Sequence, residues 1–439
     1  MPAGVVFADD LTRPDALVLQ NLEADIDDYL LGKTASEQQA HDDDGGGDQS
    51  SGKRPSGAQS RDDATLAVLN DLNDPSNAHF QPTVFNSIDI DKFNLHPTIE
   101  KCLFRPYLRA ARSLVRVETD VVMLNHLLLY LSTSVPSAAL LFWKFTWAHG
   151  LLHLAMQFSY MGPYTLMMHQ HIHMRGILSR RLAFLDKLFP YITDPLMGHT
   201  WNSYFYHHVK HHHVEGNGPD DLSSTLRYQR DDILHFLHYV GRFYFLVWLE
   251  LPLYFFRKGR WPLAAKAAFW ELSSYLMVYL LFGMNPRATL CVFILPLALL
   301  RIGLMVGNWG QHAFVDFDEP DSDYRSSITL IDVASNRHCF NDGYHTSHHL
   351  NPLRHWREHP AAFIKGKPLY AKQQALVFHD IDYIMITVRL MLKDYKTLAK
   401  CMVPIGSQMS LTMDERAALL KSHTRRFTEQ DLRKKFGTK

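Results

Sequence analysis

Histidines at helical spacings are the side chains of this chain best suited to chemistry. Twelve of its 26 histidines lie in four short boxes. The boxes are His169, His171 and His173; His207, His208, His211, His212 and His213; His312, four residues after Asn308; and His345, His348 and His349. Side chains three or four positions apart share one face of a helix, so these imidazoles can converge on one point, as a metal ion requires.

The number of histidines predicts two metal ions. A structural zinc takes four protein ligands and a catalytic zinc takes three plus water, so eight or nine convergent histidines exceed one zinc site. Imidazole suits zinc, copper, iron and nickel, and the residues by themselves leave the metal open. Asp220 and Asp221 follow the second box, either as partners that orient an imidazole or as an exposed acidic turn after Gly218-Pro219.

Apolar segments of membrane-spanning length must position these boxes. Residues 121–141 and 145–168 predict one helical hairpin before the first box, and residues 264–282 and 288–307 predict a second hairpin before His312. Residues 234–256 are long enough to span but contain several charged and histidine side chains. Because a span there would put the boxes on opposite membrane faces, we predict an interfacial helix.

The fold class expected is therefore an all-α integral membrane protein. It has about four transmembrane helices in two hairpins, an interfacial helix and a histidine-rich cap. Arginines at positions 105, 109, 112 and 116 precede the first span, and such enrichment marks the cytoplasmic side. The boxes and both termini are expected on that side.

The order of the boxes resembles that of the integral-membrane di-iron fatty acid desaturase and hydroxylase superfamily, over about residues 100–365. The residues that match this family's histidine ligands are His169 and His173 in the first box, His345, His348 and His349 in the third, and His312 as an additional ligand. Asn308 falls where acyl-CoA desaturases have an asparagine that reaches a metal through water. Asp342 resembles the acidic residue before the third box, whose carboxylate would orient an imidazole.

The second box fits two patterns. His208, His211 and His212 give the His-x-x-His-His of desaturases, whereas His208, His212 and His213 give a His-x-x-x-His-His that is similar to membrane alkane hydroxylases. All four histidines are therefore kept as candidate ligands, with His208 and His212 common to both patterns.

The resemblance implies two iron ions, O2 as a co-substrate and a lipid acyl chain as the substrate. Loss of two hydrogens would give a desaturase, and addition of oxygen would give a hydroxylase. A fused heme domain is not expected, because no His-Pro-Gly-Gly stretch is present, so the electron donor should be a b5-type cytochrome with its reductase, or a ferredoxin. The basic residues that could receive an acidic donor are Arg175, Arg180, Arg181, Lys187, Arg227 and Arg230. If the source is eukaryotic, the endoplasmic reticulum is the expected membrane.

Charge divides the chain, although its 45 basic and 45 acidic residues cancel. Residues 1–95 hold 18 acids and 6 bases and predict a disordered acidic tail. Residues 96–365 are predicted to form the membrane domain and residues 366–439 a cytoplasmic helical tail. No overall basic excess suited to nucleic acid exists. A non-enzymatic membrane protein that handles metal is a further alternative, but its ligands should lie near the bilayer midplane, not beyond the helix ends.

Overall fold

Helices make up most of the part of the chain that the structure describes. This computed structural model describes residues 11–42, 56–78, 80, 82–86, 88–89 and 95–437, and parts of both predicted tails lie outside these ranges. The prediction of a mostly helical protein is confirmed. Two small sheets depart from the all-α expectation: an antiparallel pair, β1 (Thr83–Phe85) and β2 (Ile88–Asp89), and a parallel pair, β3 (Ile328–Ile331) and β4 (Leu376–His379).

The helices are numbered along the chain. The first twelve are α1 (Arg13–Asp42), α2 (Ser56–Asp71), α3 (Pro97–Ile99), α4 (Arg105–Leu114), α5 (Val121–Trp143), α6 (Trp147–Met174), α7 (Ala183–Leu196), α8 (His213–Glu215), α9 (Ile233–Arg257), α10 (Trp261–Met284), α11 (Pro286–Thr289) and α12 (Leu295–Gln311). The others are α13 (Asp323–Ser326), α14 (Ala334–His338), α15 (His345–Leu350), α16 (His359–Lys372), α17 (Tyr383–Met391), α18 (Tyr395–Cys401), α19 (Met413–Ser422) and α20 (Glu429–Phe436). Single π-helical segments cover Glu100–Phe104, Phe205–His212 and Leu290–Ile294.

Three helices among the described residues are long and apolar enough to cross a membrane. They are α5, α10 and the continuous helix Pro286–Gln311, which joins α11, a π-helical segment and α12. Of the four predicted spans, only α6 is absent from this set. It has 28 residues and no charged side chain, but polar residues such as His149, His153 and Gln157 lower its hydropathy. The exact number of spans and hairpins stays a prediction.

The segment predicted to lie at the interface forms α9. Its buried residues, among them Tyr239, Phe243, Val247 and Leu251, recur every four positions and therefore face one side of the helix. The opposite side leaves large apolar residues such as Phe245 exposed. This helix is not among the candidate spans, and its position in the interface stays a prediction.

The prediction of a disordered tail over residues 1–95 is wrong for most of its described part. Val18, Leu19 and Leu22 of α1 are buried in one cluster with Tyr344 and Phe363. Residues three and four apart lie on one helix face, so a few apolar side chains suffice to dock α1. Composition averaged over the acidic segment concealed this short apolar stripe.

A buried ammonium group also joins the two N-terminal helices to α16. Lys367 donates hydrogen bonds to the carboxylates of Asp25 in α1 and Asp62 in α2, and to the amide oxygen of Asn21. A buried lysine needs such partners, because an unpaired charge would be costly to desolvate. Acidic residues that looked like a solvated tail thus include ligands for a buried cation.

The C-terminal segment, predicted as a helical tail, is helical but packs into the body. Its strand β4 pairs with β3, which lies between His312 and the third box. The backbone N–H of Phe427 donates to the carbonyl of Leu226, and Leu432 is buried in the same cluster. The segment therefore supports the region that carries the boxes.

Candidate metal centre

Four elements bring the boxes to one place. The first box lies at the end of α6, and the second lies on Phe205–His212 and α8. His312 follows α12, and the third box lies in α15. His169 and His173 are one turn apart at the end of α6, so they present their rings on the same face. The fold brings these four elements together, and no single spacing of histidines in the sequence determines how closely they approach.

The π-helical segment decides which histidines of the second box face the same way. In a π-helix the hydrogen bonds join residues five apart, not four. Accordingly His208 and His213 lie side by side, with their Nε2 atoms 3.0 Å apart. Reasoning from α-helical spacings of three and four could not anticipate this pair.

A first cluster, the five-histidine group, consists of His169, His173, His208, His213 and His348. Four Nε2 atoms form a closed ring, with 2.8 Å from His169 to His208, 3.0 Å from His208 to His213, 2.9 Å from His213 to His348 and 3.1 Å from His348 to His169. Two nitrogens bound at right angles to one ion, each at about 2.1 Å, lie about 3 Å apart. The spacing of the ring fits donors that share a cation.

Hydrogen bonding explains the five-histidine group poorly. Each Nε2 offers either one proton or one lone pair, so a closed ring requires two nitrogens that each divide a proton between two neighbours. The buried Nε2 of His173 has no hydrogen-bond partner at all. Buried polar atoms are seldom left unpaired, and a metal ion would satisfy all five rings together.

Burial keeps these imidazoles in the neutral form that binds metals. It holds the pKa of His208 and His348 well below the ordinary range, and neighbouring histidines lower the pKa further. For His173 burial lowers the pKa to about 4, with a contribution from His212. Neutral imidazole is the ligating species, so near pH 7 these rings need not lose a proton before they bind a cation.

A second cluster, the three-histidine group, consists of His212, His312 and His349. His345 adjoins it, because its Nε2 lies 3.3 Å from that of His312 and 3.1 Å from that of His349. The group thus combines one residue of the second box, the histidine after α12 and the third box. Its composition matches a second metal site with three or four imidazole donors.

Protein groups hold the rings of the three-histidine group from behind. His212 Nδ1 donates to Asp221 at 2.7 Å, and His312 Nδ1 donates to the carbonyl of Ser326 at 2.6 Å. His349 Nδ1 lies 3.5 Å from a carboxylate oxygen of Asp323. A carbonyl or carboxylate oxygen can only accept, so the Nε2 atoms of His212 and His312 keep their lone pairs for a metal.

Asp221 is the carboxylate most closely tied to the site. Burial by itself would raise its pKa, but His212, through its charge and its hydrogen bond, and the neighbouring His211 hold the pKa of the Asp221 carboxyl well below the usual range. The N–H and hydroxyl of Ser223 also donate to it. Of the two interpretations of this acidic turn, orientation of an imidazole therefore applies to Asp221, whereas Asp220 pairs at the surface with Lys258.

His211 lies outside both groups, although the sequence made it a candidate ligand. Its Nε2 accepts the backbone N–H of Leu222 at 2.8 Å, and it clusters with His207 and Asp221. The grouping of the second box therefore follows the pattern of His208, His212 and His213. His207, which also belongs to this third cluster, was part of the second box but was not among its four candidate ligands.

A cavity of about 480 Å³ reaches the histidines of both groups. At its deep end the lining includes His169, His208, His212 and His345. Elsewhere the wall is mostly apolar, with residues from α6, α9 and α12. Phe158 of α6 lines the cavity, whereas Met167 and Met168 of the same helix are buried in the core around α5.

Asn308 and Asp342 both line this cavity. The amide nitrogen of Asn308 donates to the carbonyl of Ser223 at 2.8 Å and is 2.7 Å from the hydroxyl of Tyr239, so its amide oxygen is the atom left for the cavity. Within the described residues the carboxyl of Asp342 hydrogen-bonds to none of the box histidines, and burial raises its pKa to about 7. The expected orienting role for Asp342 is therefore not seen; Asp221 has that role.

Two supporting groups were missed in the sequence. Ser326 acts through its backbone carbonyl, which carries no residue-type signal, and Asp323 lies 26 residues before His349 without a recognisable motif. The only sequence signal of Asp323 is its place in the segment between His312 and the third box.

One known protein family matches the part of the chain that contains all the histidine boxes. A family model described as fatty acid desaturase matches residues 145–380, which is more than half of the chain and includes all four boxes. A search of curated proteins and a search of solved structures each found no match.

Proposed function

Because the chain belongs to the fatty acid desaturase family, we propose that it is an O2-dependent membrane desaturase that introduces a double bond into a fatty acyl chain. Membership makes it an oxidoreductase of the membrane desaturase and hydroxylase type. Its apolar helices agree with a membrane protein. The observation that most supports the oxidation of a lipid chain is the pair of histidine groups at the deep end of one apolar cavity.

Two iron ions are the proposed cofactors, one for each histidine group. The family is generally di-iron, and the all-imidazole donor sets are compatible with iron. When bound, iron would supply the activation of O2 that allows hydrogen to be removed from a methylene. The ligands proposed are the five-histidine group, the three-histidine group and His345.

The contribution of the chain's own residues is to hold the substrate and exclude water. Apolar side chains of the cavity wall, such as Met161, Phe243 and Leu304, would pack along an acyl chain. At the histidine end Asn308 presents an amide oxygen fixed by Ser223 and Tyr239. A dry, shaped site of this kind fixes which methylene lies nearest the metals and suppresses side reactions.

A hydroxylase is the second candidate, and one observation favours it. His208, His212 and His213 join the two groups while His211 does not, which is the second-box pattern similar to membrane alkane hydroxylases. Both reactions can use the same ligands, since they share the first hydrogen removal and diverge only after it.

An external electron donor and the endoplasmic reticulum are proposed along with the reaction. Arg175, Arg180, Arg181 and Lys187 are exposed near the boxes and could receive an acidic b5-type cytochrome or ferredoxin. Arg230, expected in the same surface, is fully buried and donates to backbone carbonyls of His423 and Arg425, so it is excluded from that surface.

The product of a labelled lipid tests this proposal. Cells that express the wild type and are fed a uniformly deuterated fatty acid should yield a chain that has lost two deuterium atoms, whereas a hydroxylase would yield a chain that has gained an oxygen. The His348→Ala variant should yield neither. If iron-loaded wild type gives neither product, or if His348→Ala retains activity, the proposed function is wrong.

A further inference from the structure

We propose that the acyl chain enters sideways from the bilayer, through a slit between α6 and α12, so that the substrate is a membrane-resident lipid and not a water-borne acyl thioester. This inference rests on the proposed function and names its substrate class. The residues at the opening of the cavity carry it, and they are different from the proposed histidine ligands.

The rim of the cavity includes polar residues such as His338 and Asp382, but one part of it is apolar and exposed. Phe158 of α6 is 67% exposed, Leu299 of α12 is 37% exposed and Ile384 of α17 is 60% exposed, and all three line the same cavity as His169 and His345. Side chains of this size are rarely left in water around an opening unless an apolar partner covers them. The cavity therefore connects the histidines with an apolar outer surface.

The depth of this rim indicates that the apolar surface faces hydrocarbon. Phe158 precedes His169 by eleven residues and Leu299 precedes Asn308 by nine, so at 1.5 Å per residue these two rim residues lie about 14–17 Å along their helices from the histidine end. Leu299 belongs to Pro286–Gln311, the most apolar of the candidate spans. A molecule dissolved in water would have to cross the membrane interior to use this opening, whereas a lipid tail is already there.

The slit has room for a chain along α12. A Cβ atom added to Gly303 or Gly307 would meet no atom within 4 Å, and both residues line the cavity. On the opposite wall a Cβ at Gly162 would come 3.3 Å from the sulfur of Cys339. Next to the contacts between α6 and α12, the two helices therefore leave a narrow open groove beside α12.

Helix α17 forms the third side of the opening and lies beyond the family match. It packs closely on α12, since a Cβ at Gly310 would approach the carbonyl oxygen of Tyr383 to 2.5 Å. Its outer face exposes Ile384 and Val388, and the exposed Leu392 directly follows the helix. A helix that is apolar on its buried and its outer face is typical of an element in contact with lipid.

Photochemical labelling tests the route without turnover. The purified full chain is placed in phosphatidylcholine vesicles in which one acyl chain carries a diazirine, illuminated and digested. Label should appear in peptides that contain Phe158, Leu299 or Ile384. In Gly303→Phe, where a ring occupies the groove, label near the histidines should fall about tenfold. Gly241→Phe is the matched control, because Gly241 is also a helical glycine with open space but does not line the cavity, and it should label like the wild type.

Turnover then distinguishes this inference from the proposed function. The iron-loaded protein with a reductant is given either deuterated phosphatidylcholine in the bilayer, or deuterated acyl-CoA in water above vesicles of unreactive branched-chain lipid. Product from the bilayer arm alone supports the lateral route. Product from acyl-CoA alone, or equal labelling of Gly303→Phe and wild type, overturns it and leaves the function intact. No product in either arm overturns both.

Discussion

The two histidine groups face one cavity but are supported in different ways. In the three-histidine group, Asp221, the Ser326 carbonyl and Asp323 each lie behind one ring. In the five-histidine group no hydrogen bond to a described residue holds a ring from behind, and His348 Nδ1 is buried without a partner. The rings of this group contact mainly one another.

This difference indicates two ways to build a metal site. The three-histidine group is oriented by the protein before a metal arrives, so its geometry should survive metal removal. The five-histidine group has more donors but depends on the ion to hold them together, since neutral nitrogens about 3 Å apart do not attract one another without a shared proton or cation.

The largest expected effect comes from breaking the ring of the five-histidine group. His208→Ala should abolish product formation and lower bound iron from about two ions per chain to about one, because His208 contacts both His169 and His213. Iron analysis and product mass spectrometry measure both quantities. His211→Ala, from the same box, should keep both ions; equal loss of iron in the two variants would contradict the grouping.

A smaller effect is expected from the support behind His212. Asp221→Asn should weaken iron binding at the three-histidine group by about 10–100-fold, as loss of such a carboxylate does at other metal sites. Competition with a chelator measures the affinity. Asp220→Asn is the control, because Asp220 bonds to Lys258 at the surface. An Asp221→Asn protein with unchanged affinity would show that the carboxylate does not orient the ring.

The N-terminal helix supplies a further, pH-dependent support near His345. Asp15 accepts hydrogen bonds from Tyr344, the residue before His345, and from Asn336. Burial raises its pKa from 3.8 to about 6. The folded protein therefore holds this proton more tightly than the unfolded chain, and the free energy of unfolding decreases as the pH rises from about 4 to 6.

Asp15→Asn removes that titration. Relative to wild type, the variant should gain about 2 kcal/mol of unfolding free energy between pH 4 and pH 7. Denaturant unfolding of the metal-free protein at both pH values measures the difference. A wild-type minus variant difference that is constant with pH would mean that Asp15 does not titrate as described.

The smallest expected effect concerns Asp323. Its carboxylate is partly exposed and 3.5 Å from His349 Nδ1, and exposed ion pairs contribute little. Asp323→Asn should therefore weaken iron binding by about fivefold or less. The same chelator competition applies, and a loss as large as that of Asp221→Asn would mean that the three supports are equivalent.

Much of the candidate site could be predicted from the types and order of its residues. The boxes identified nine of the histidines that the structure gathers, because histidine clusters are rare and their order is informative. The sequence could not separate His211 from His213, since that choice depends on a π-helical segment. Nor could it choose between Asp220 and Asp221, which are neighbours in sequence but lie on opposite sides of a turn, one buried and one exposed.

The sequence predicted the parts of the fold that depend on hydropathy, but not the parts that depend on the packing of distant segments against one another. Three apolar segments of about 20 residues became candidate spans. By contrast, α1 docks through Val18, Leu19 and Leu22, which are too few to offset the acidic composition around them. The pairing of β4 with β3 joins segments nearly 50 residues apart, and no local sequence pattern predicts such a contact.

The most direct test of two separate metal sites is an anaerobic titration of the metal-free, full-length protein with Fe(II). Two histidine groups that each hold one ion predict saturation at two ions per chain, with His208→Ala saturating at one. Saturation of the wild type at a single ion would contradict this arrangement, because both groups would then serve one site.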